Sequence, residues 1–304
     1  MAEATDRRTL LCVEALTAFV ESGNSLLARA ETESSEVPLE DFVREKIRIE
    51  RPESLLGLIE AGATLFRSLS AKRKGEAEEV WRSGQQCVAL QAAVEDYRQL
   101  GTQWDAFLER LDRELNPNPR TCDPDPKTRS ISPETPLIDA RTGECVTLRR
   151  YFGRGEKILL VLIRQFSCLL CRLHLEDLQK NQALLDARSL RVLVVSFGCQ
   201  QGAHHWLQET SCPYDMLLDP QRQLYQAFGL RRSLKDVLNF SNMLRYAEYL
   251  LADMHFPKPL PSIQDDMFQL GGDFVVDQRG VVMFAHRCQS PIDRPSVSDL
   301  LATF

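Results

Sequence analysis

The sequence predicts an all-α first part followed by an α/β second part, and three observations lead to this. Up to about residue 115, apolar residues recur at helical spacing. Five prolines then fall between residues 117 and 134, a density that is typical of a linker. Beyond the linker, short apolar runs alternate with helical segments, which is the pattern of an α/β domain.

The length of 304 residues favours about two domains. We therefore expect a helical bundle over residues 1–116, a proline-rich linker over 117–134 and an α/β domain over 135–304. In the bundle, one apolar seam alternates spacings of three and four residues, which suits three or four antiparallel helices. We expect the seam to be core, and an exposed face for a partner or for self-association is the alternative. The seam comprises Cys87, Leu90, Val94, Tyr97, Gly101, Trp104, Leu108, Leu111 and Leu115, widened by Leu100 and Phe107.

In the second part, the predicted elements follow one another in the order of a thioredoxin-like fold. Strand, helix, strand and helix come first, and a β-hairpin with a last helix closes the chain. We expect a hairpin at 136–148, strands at 158–163, 190–197, 214–218, 273–277 and 281–286, and helices at 168–187, 200–210, 220–228, 233–254 and from residue 295.

Composition and charge exclude several classes of protein. The net charge of -6 and the pI near 5.5 provide no basic field for nucleic acid or for anionic lipid. The N-terminus mixes charges with apolar residues, unlike a signal peptide, and no uninterrupted apolar run is long enough to cross a bilayer. Nine cysteines, an odd number scattered over the chain, do not indicate a secreted disulfide framework. We expect a soluble cytoplasmic protein with no membrane or nucleic-acid partner.

The richest chemical signal is the pair Cys168 and Cys171, which follows an apolar strand and opens a helix. At a helix N-terminus, unpaired backbone N–H groups and the helix dipole stabilise a thiolate, which is the nucleophilic form. Cysteines three residues apart in a first helical turn have Cα atoms about 5 Å apart, within reach of disulfide closure. The spacing therefore predicts a redox-active pair that opens and closes reversibly.

Other interpretations of the pair are a zinc site and a chance pair of buried cysteines. A structural zinc site would need a second pair of ligands, and apart from this pair and the overlapping Cys171-x-x-His174 the chain has no Cys-x-x-Cys, Cys-x-x-His or His-x-x-Cys. The spacing of Cys199, His204, His205 and Cys212 matches no common zinc site. We therefore expect neither a metal nor a bound cofactor. Cys199 and Cys288 follow predicted strands and are alternative resolving thiols, although buried or idle roles suit them better.

Three cationic side chains are candidates for stabilising the sulfur anion. Arg164 comes shortly before the pair, and Arg172 and His174 follow within the first turns of the helix. Arg164 ends a buried strand at the sheet edge where such sites form. We expect Arg164 and Arg172 to support the pair. The alternative for each is a position on the solvated surface, away from the sulfurs.

Three segments of the second part together resemble the peroxiredoxin-like 2 group of AhpC/TSA-related proteins. They are IRQFSCLLCRLHLEDL, YDMLLDPQRQLYQAFGL and GGDFVVDQRGVVMFAHR, and the resemblance spans about residue 135 to the C-terminus. Within the group, the whole chain is most similar to the selenoprotein L family, in which a selenocysteine pair occupies the places of Cys168 and Cys171. The resemblance implies a thioredoxin-like fold and a thiol or selenol redox centre, and it leaves the substrate open.

The chain departs from the patterns of larger families in two places. Peroxiredoxins proper carry Pro-x-x-x-Thr-x-x-Cys after this strand. Aligned with it, Arg164 takes the proline position, Cys168 the threonine position and Cys171 the attacking position. In thioredoxins the first cysteine attacks, which would be Cys168, so the attacking sulfur stays open. Gly271 and Gly272 stand where a thioredoxin has its cis-proline, which makes thioredoxin-like substrate docking a poorer expectation.

The sequence thus leads to a hypothesis of thiol-disulfide oxidoreductase activity through Cys168 and Cys171. One thiolate would attack a peroxide or disulfide substrate, and the other would resolve the product. An external thiol system such as thioredoxin or glutathione would then reduce the pair. The alternative is a non-catalytic thioredoxin-like binding module or redox sensor that acts through residues 1–116.

Overall fold

The computed structural model describes residues 2–44, 53–84, 86–115, 130–260, 262–263 and 266–302. The chain divides into two compact units. The helical unit comprises Met1–Asn118 and Leu238–His255, and the sheet unit comprises Pro119–Val237 and Phe256–Phe304. Most of the predicted linker, residues 117–129, lies outside the described residues.

The helical unit contains six helices, in the part of it that the structure describes. Apart from Cys87, which precedes it, the apolar seam predicted from the sequence lies on the fifth helix, and its central members Tyr97, Trp104 and Leu108 are buried. The seam is thus core and not an exposed docking face. The helices, numbered in chain order, are α1 (Ala2–Glu36), α2 (Leu39–Phe42), α3 (Gly57–Ser68), α4 (Lys74–Arg82), α5 (Val88–Leu115) and α11 (Phe240–Leu251).

Helix α11 is a departure from the predicted domain boundary, because its sequence lies within 135–304 while it packs in the helical unit. Its apolar residues Phe240, Met243, Leu244 and Ala247 recur at helical spacing and are buried, so this face needs a partner surface. The Phe240 ring lies 5.3 Å from that of Tyr97, between ring centroids. Because this face is buried among the other helices, the segment belongs to the helical unit and not to the sheet unit.

The predicted helix at 233–254 is divided in two. Asn239 separates α10 (Leu234–Leu238) from α11, and its side chain accepts a hydrogen bond from the Asn242 N–H at 2.9 Å. An asparagine at this place satisfies one of the free N–H groups of the first turn, so a new helix begins there. Nothing in the apolar periodicity marks this break.

One helix of the described residues, over Arg7–Glu36 in α1, is long and apolar enough to span a membrane by length and composition, with a mean hydropathy of 1.3 in its most apolar window. The sequence expectation is that no uninterrupted apolar run is long enough to cross a bilayer, and Glu14 and Glu21 interrupt the apolar residues of this helix. Core helices reach such a length and hydropathy too, and Leu16, Phe19 and Leu27 of α1 are buried in the helical unit. The absence of a membrane partner stays a prediction.

The sheet unit is built on a seven-stranded sheet in the order β2-β1-β5-β4-β3-β6-β7. Strands β3, β4 and β5 are parallel, and the remaining pairs are antiparallel. The quartet β4-β3-β6-β7, with a helix between β3 and β4 and another after β7, is the thioredoxin-like arrangement, so the predicted fold class is confirmed. The strands are β1 (Pro136–Asp139), β2 (Cys145–Thr147), β3 (Lys157–Leu162), β4 (Leu190–Ser196), β5 (Asp215–Leu218), β6 (Gly272–Val276) and β7 (Val282–Arg287).

Helices cover the sheet, and the central strand β3 is buried on both faces. Alternate residues of β3 belong to two separate apolar clusters, one on each side, which explains why the strand is a continuous apolar run. The chain leaves β3 at its carboxyl end and enters a helix after a short loop. The helices of this unit are α6 (Leu169–Lys180), α7 (Gln182–Ala187), α8 (Gln200–Thr210), α9 (Gln223–Ala227), α10 and α12 (Val297–Leu301).

Candidate active site

The two predicted redox cysteines meet at the N-terminus of α6, where they form a disulfide. Cys168 is the residue that caps the helix, and Cys171 lies in its first turn. Their Cα atoms are 5.3 Å apart, which agrees with the distance expected from the spacing. The structure thus represents the oxidised state of the pair.

Each sulfur accepts a hydrogen bond from one backbone N–H. The Cys171 N–H donates to the Cys168 Sγ, with N and Sγ 3.1 Å apart. The Arg164 N–H donates to the Cys171 Sγ at 3.4 Å. Both cysteines are buried, with 3% and 1% of their surface exposed. If these donors stay in place when the disulfide opens, they favour the thiolate over the thiol.

Each sulfur also lies close to a different guanidinium group. The Arg164 Nη1 is 3.9 Å from the Cys168 Sγ, and the Arg294 Nη2 is 3.7 Å from the Cys171 Sγ. Arg164 was expected at the site from the sequence, whereas Arg294 was not. Arg294 stands 123 residues after Cys171, so no local pattern connects the two, and only the return of the chain after β7 brings it to α6.

Arg164 is held by the segment that precedes β6. Its Nε donates to the Gln269 carbonyl at 3.2 Å, and its Nη2 donates to the Met267 carbonyl. That segment is fixed in turn by Asp266, which pairs with Arg222 at 2.8 Å. Burial alone would raise the pKa of Asp266, but Arg232 and Arg222 lower it below its usual value. The guanidinium of Arg164 is thereby oriented on two carbonyl groups.

Arg294 belongs to a buried group of three side chains with Asp273 and His174. The Arg294 Nη1 donates to the Asp273 Oδ2 at 2.8 Å, and the His174 Nε2 lies 2.7 Å from the Asp273 Oδ1. Burial alone would raise the pKa of Asp273, but Arg294 and His174 lower it to about 2. The carboxylate therefore stays charged at neutral pH. We call these three residues the buried charge group.

Gly271, which with Gly272 stands where a thioredoxin has its cis-proline, is a glycine for a steric reason that involves this group. A Cβ on Gly271 would come within 2.3 Å of the Leu162 carbonyl oxygen and 2.5 Å of the Arg294 Nη2. The same Leu162 oxygen accepts a hydrogen bond from Arg294 at 2.9 Å. The space that a side chain would occupy is thus filled by the guanidinium group.

Arg172 does not support the pair as predicted. Within the described residues, its Nη2 donates to the Glu209 carboxylate at 2.8 Å and to the Phe166 carbonyl at 3.2 Å, and it makes no hydrogen bond to either sulfur. The helical periodicity turns this side chain from the start of α6 toward α8. Arg172 therefore connects two helices, and the prediction of a supporting role at the sulfurs is corrected.

The remaining candidate thiols stay outside the disulfide. Cys288 is buried, and burial raises its pKa to about 12, which disfavours a nucleophilic thiolate at neutral pH. Cys199 is exposed and precedes α8. Among the described residues, no group of three or more His, Cys, Asp or Glu side chains is placed to hold a metal ion.

Comparison with known proteins finds relatives in one group of proteins. The family model of the AhpC/TSA antioxidant enzymes matches residues 177–290. Peroxiredoxin-like 2C of Homo sapiens is 24% identical over 197 residues, which cover 62% of this chain and 84% of the relative. The chain is a relative of the peroxiredoxin-like 2 group. The resemblance predicted from the sequence is thus confirmed for the group, and the similarity to the selenoprotein L family stays a prediction.

Other similar proteins extend the comparison. Prostamide/prostaglandin F synthase of Homo sapiens is 27% identical over 158 residues, or 52% of this chain and 79% of the relative. A bacterioferritin comigratory protein of Xanthomonas campestris aligns with a TM-score of 0.37 and 15% identity over 51% of this chain and 82% of its own. Kinship with the peroxiredoxin-like 2 group supports a role of the thiol oxidoreductase type. The family model begins after Cys171, so it does not include the cysteine pair.

Proposed function

We propose that this protein reduces a peroxide or a disulfide through Cys168 and Cys171, in the manner of a peroxiredoxin-like thiol oxidoreductase. The observation that carries the proposal is the set of hydrogen-bond donors around the two sulfurs at the start of α6. Each sulfur has one backbone N–H and one guanidinium group within hydrogen-bonding distance. Such donors favour the thiolate, which is the reactive form of cysteine.

Cys168 is the attacking sulfur in this proposal, and Cys171 resolves. Cys168 caps α6, so it receives the field of the helix N-terminus together with the Cys171 N–H. Of the alignments with peroxiredoxins and with thioredoxins, this position favours the alignment with thioredoxins.

With a peroxide, the Cys168 thiolate attacks one oxygen, the O–O bond breaks and the leaving alkoxide takes a proton to become an alcohol. Cys168 is then a sulfenic acid. The Cys171 thiolate attacks that sulfur, hydroxide leaves and takes a proton, and the disulfide forms. With a disulfide substrate, the first attack gives a mixed disulfide and the second releases the other thiolate.

Two electrons from an external thiol system close the cycle. Two thiols, or one dithiol such as thioredoxin, are oxidised to a disulfide while Cys168 and Cys171 return to the reduced state. A reducing compartment supplies such thiols, so we propose the cytoplasm as the location and glutathione or thioredoxin as the reductant. No bound cofactor takes part.

The test compares C168S and C171S with wild type in turnover of hydrogen peroxide and of a model disulfide. C168S should lose both reactions, whereas C171S should form a sulfenic acid at Cys168 once and then stop. C199S removes an exposed cysteine outside the pair and should keep wild-type turnover. Unchanged turnover in C168S and C171S would refute the proposal and leave a binding module or redox sensor as the better account.

A further inference from the structure

The buried charge group, Arg294, Asp273 and His174, occupies the interior next to the disulfide, and only the Arg294 guanidinium reaches a sulfur, at 3.7 Å from the Cys171 Sγ. The side chains of Asp273, His174 and Arg294 are 0%, 5% and 7% exposed. Moving ionic groups out of water is costly unless they are paired and hydrogen-bonded. Packing alone therefore does not explain why these ionic side chains lie in the protein interior.

We propose that Arg294, positioned by Asp273 and His174, is a catalytic residue that stabilises Cys171 as a thiolate whenever the disulfide opens or forms. This deepens the proposed function, on which it rests, by giving each sulfur its own arginine. Arg164 serves the attacking sulfur, and Arg294 serves the resolving one.

The geometry fixes the Arg294 guanidinium from two sides and aims it at the sulfur. Its Nη1 binds the Asp273 carboxylate, and its Nη2 binds the Leu162 carbonyl at 2.9 Å while lying 3.7 Å from the Cys171 Sγ. The second oxygen of Asp273 contacts His174, which follows Cys171 by one helical turn and so lies on the same face of α6. The group thus connects the end of β3, the start of β6 and the first turns of α6.

The chemistry needs this group when the disulfide is reduced. An external thiolate attacks the Cys168 Sγ, the S–S bond breaks, and both of its electrons pass to the Cys171 Sγ, which leaves as a thiolate. Thiol–disulfide exchange is faster when the leaving sulfur is stabilised as an anion. Because Cys171 is 1% exposed, water does little to stabilise it, and the guanidinium supplies the compensating charge.

The same contact serves the oxidative direction. Cys171 must be a thiolate to attack the oxidised Cys168, and Arg294 favours that form. Other titratable groups face Arg294 as well, but burial raises the pKa of Cys288 to about 12 and raises that of Tyr225 beyond its usual range. Both are therefore neutral near pH 7. Nearby Asp293 is paired with His286 at 3.0 Å.

The test follows reduction of the isolated Cys168–Cys171 disulfide by dithiothreitol in stopped flow, and it needs no substrate. R294Q should slow reduction about 10- to 100-fold, the effect of losing one hydrogen bond to a charged group. R294K keeps the charge without the forked geometry and should restore part of the rate. R191Q is the matched control, because it removes a guanidinium that pairs with Asp215 on neighbouring strands of the same unit, and its rate should equal that of wild type.

A second readout separates catalysis from a merely structural role. In the C168S background, the pH at which half of Cys171 is alkylated by iodoacetamide should rise in R294Q and return toward the C168S value in R294K. H174Q should shift this pH in the same direction but by less. If R294Q does not fold, H174Q in the C168S background provides the test of the buried charge group. Unchanged reduction rates and alkylation profiles would overturn the assignment of Arg294. Inactive C168S and C171S would still uphold the proposed function in that case.

Discussion

Arg164 and Arg172 show how two arginines near the same disulfide differ in what they do. Arg164 is 4% exposed and lies 3.9 Å from the Cys168 Sγ. Arg172 directs its guanidinium to Glu209 on α8. Charge near a sulfur favours the thiolate only over short distances, so the two side chains have unequal influence on the reaction.

We therefore expect R164Q to slow sulfenic acid formation at Cys168 about tenfold or more, which corresponds to one lost charge-assisted contact. R172Q, the matched variant, should leave that rate within about twofold, since the Arg172 guanidinium binds the Glu209 carboxylate and the Phe166 carbonyl and not a sulfur. Both rates are measured by trapping the sulfenic acid after a single addition of hydrogen peroxide. Equal slowing by both variants would contradict the assignment of Arg164 to the site.

Asp273 makes stability depend on pH. Its pKa is lowered from 3.8 to about 2 in the folded protein by Arg294 and His174. A lowered folded pKa means that the stabilisation is complete above the unfolded value and is lost as the pH falls through the folded one. The free energy of unfolding should thus fall between about pH 4 and pH 2, and less steeply in D273N. Urea unfolding of both proteins across this range checks the difference, and parallel curves would contradict it.

At the scale of elements, α11 completes the core of the helical unit. The Phe240 ring packs on Phe19 and Tyr97, at 6.0 and 5.3 Å between ring centroids. A Cβ on Gly101 would lie 2.9 Å from the Phe240 ring, which explains a glycine in the predicted seam. The backbone N–H of Phe240 donates to Asp105 at 2.8 Å.

F240A should therefore destabilise the helical unit by about 3–5 kcal/mol, the usual cost of truncating a buried phenylalanine. V88A changes a side chain that is 78% exposed on α5 and should change stability by less than about 0.5 kcal/mol. Chemical denaturation followed by far-UV circular dichroism gives both values. A small loss in F240A would mean that α11 is not part of this core.

The elements also show what the sequence could predict. The apolar run of β3 and the closing hairpin carry local patterns, and the structure confirms those elements. The break within the predicted helix at 168–187 carries no such pattern, because Asn181 separates α6 from α7 without a change in apolar spacing. Arg294 depends on contacts between distant parts of the chain, for which a single sequence has no signal.

At the scale of the whole molecule, the chain enters each unit twice. It leaves the sheet unit at Val237, supplies α11 to the helical unit, and returns at Phe256. The predicted boundary after residue 116 therefore leaves α11 on the other side from the helices with which it packs. Helices α3 and α5, together with Phe19 of α1, form the surface against which α11 is buried.

A truncation that lacks residues 1–116 should consequently expose the apolar face of α11 and aggregate. Binding of a hydrophobic dye and sedimentation velocity would detect this. Replacing Phe240, Met243 and Leu244 by polar residues in the truncated chain should reduce the aggregation. A monomeric truncation that binds no dye would show that α11 does not need the N-terminal helices.

Because α11 comes late in the sequence, the helices with which it packs are synthesised well before it. The helices up to α5 are synthesised about 120 residues before α11, their last packing partner. This distance corresponds to a delay of roughly 6–24 s at about 5–20 residues per second. During that interval the nascent chain holds Phe19 and Tyr97 without Phe240. Chaperone dependence in the cell would therefore be greatest for the helices that precede α11 and wait for it.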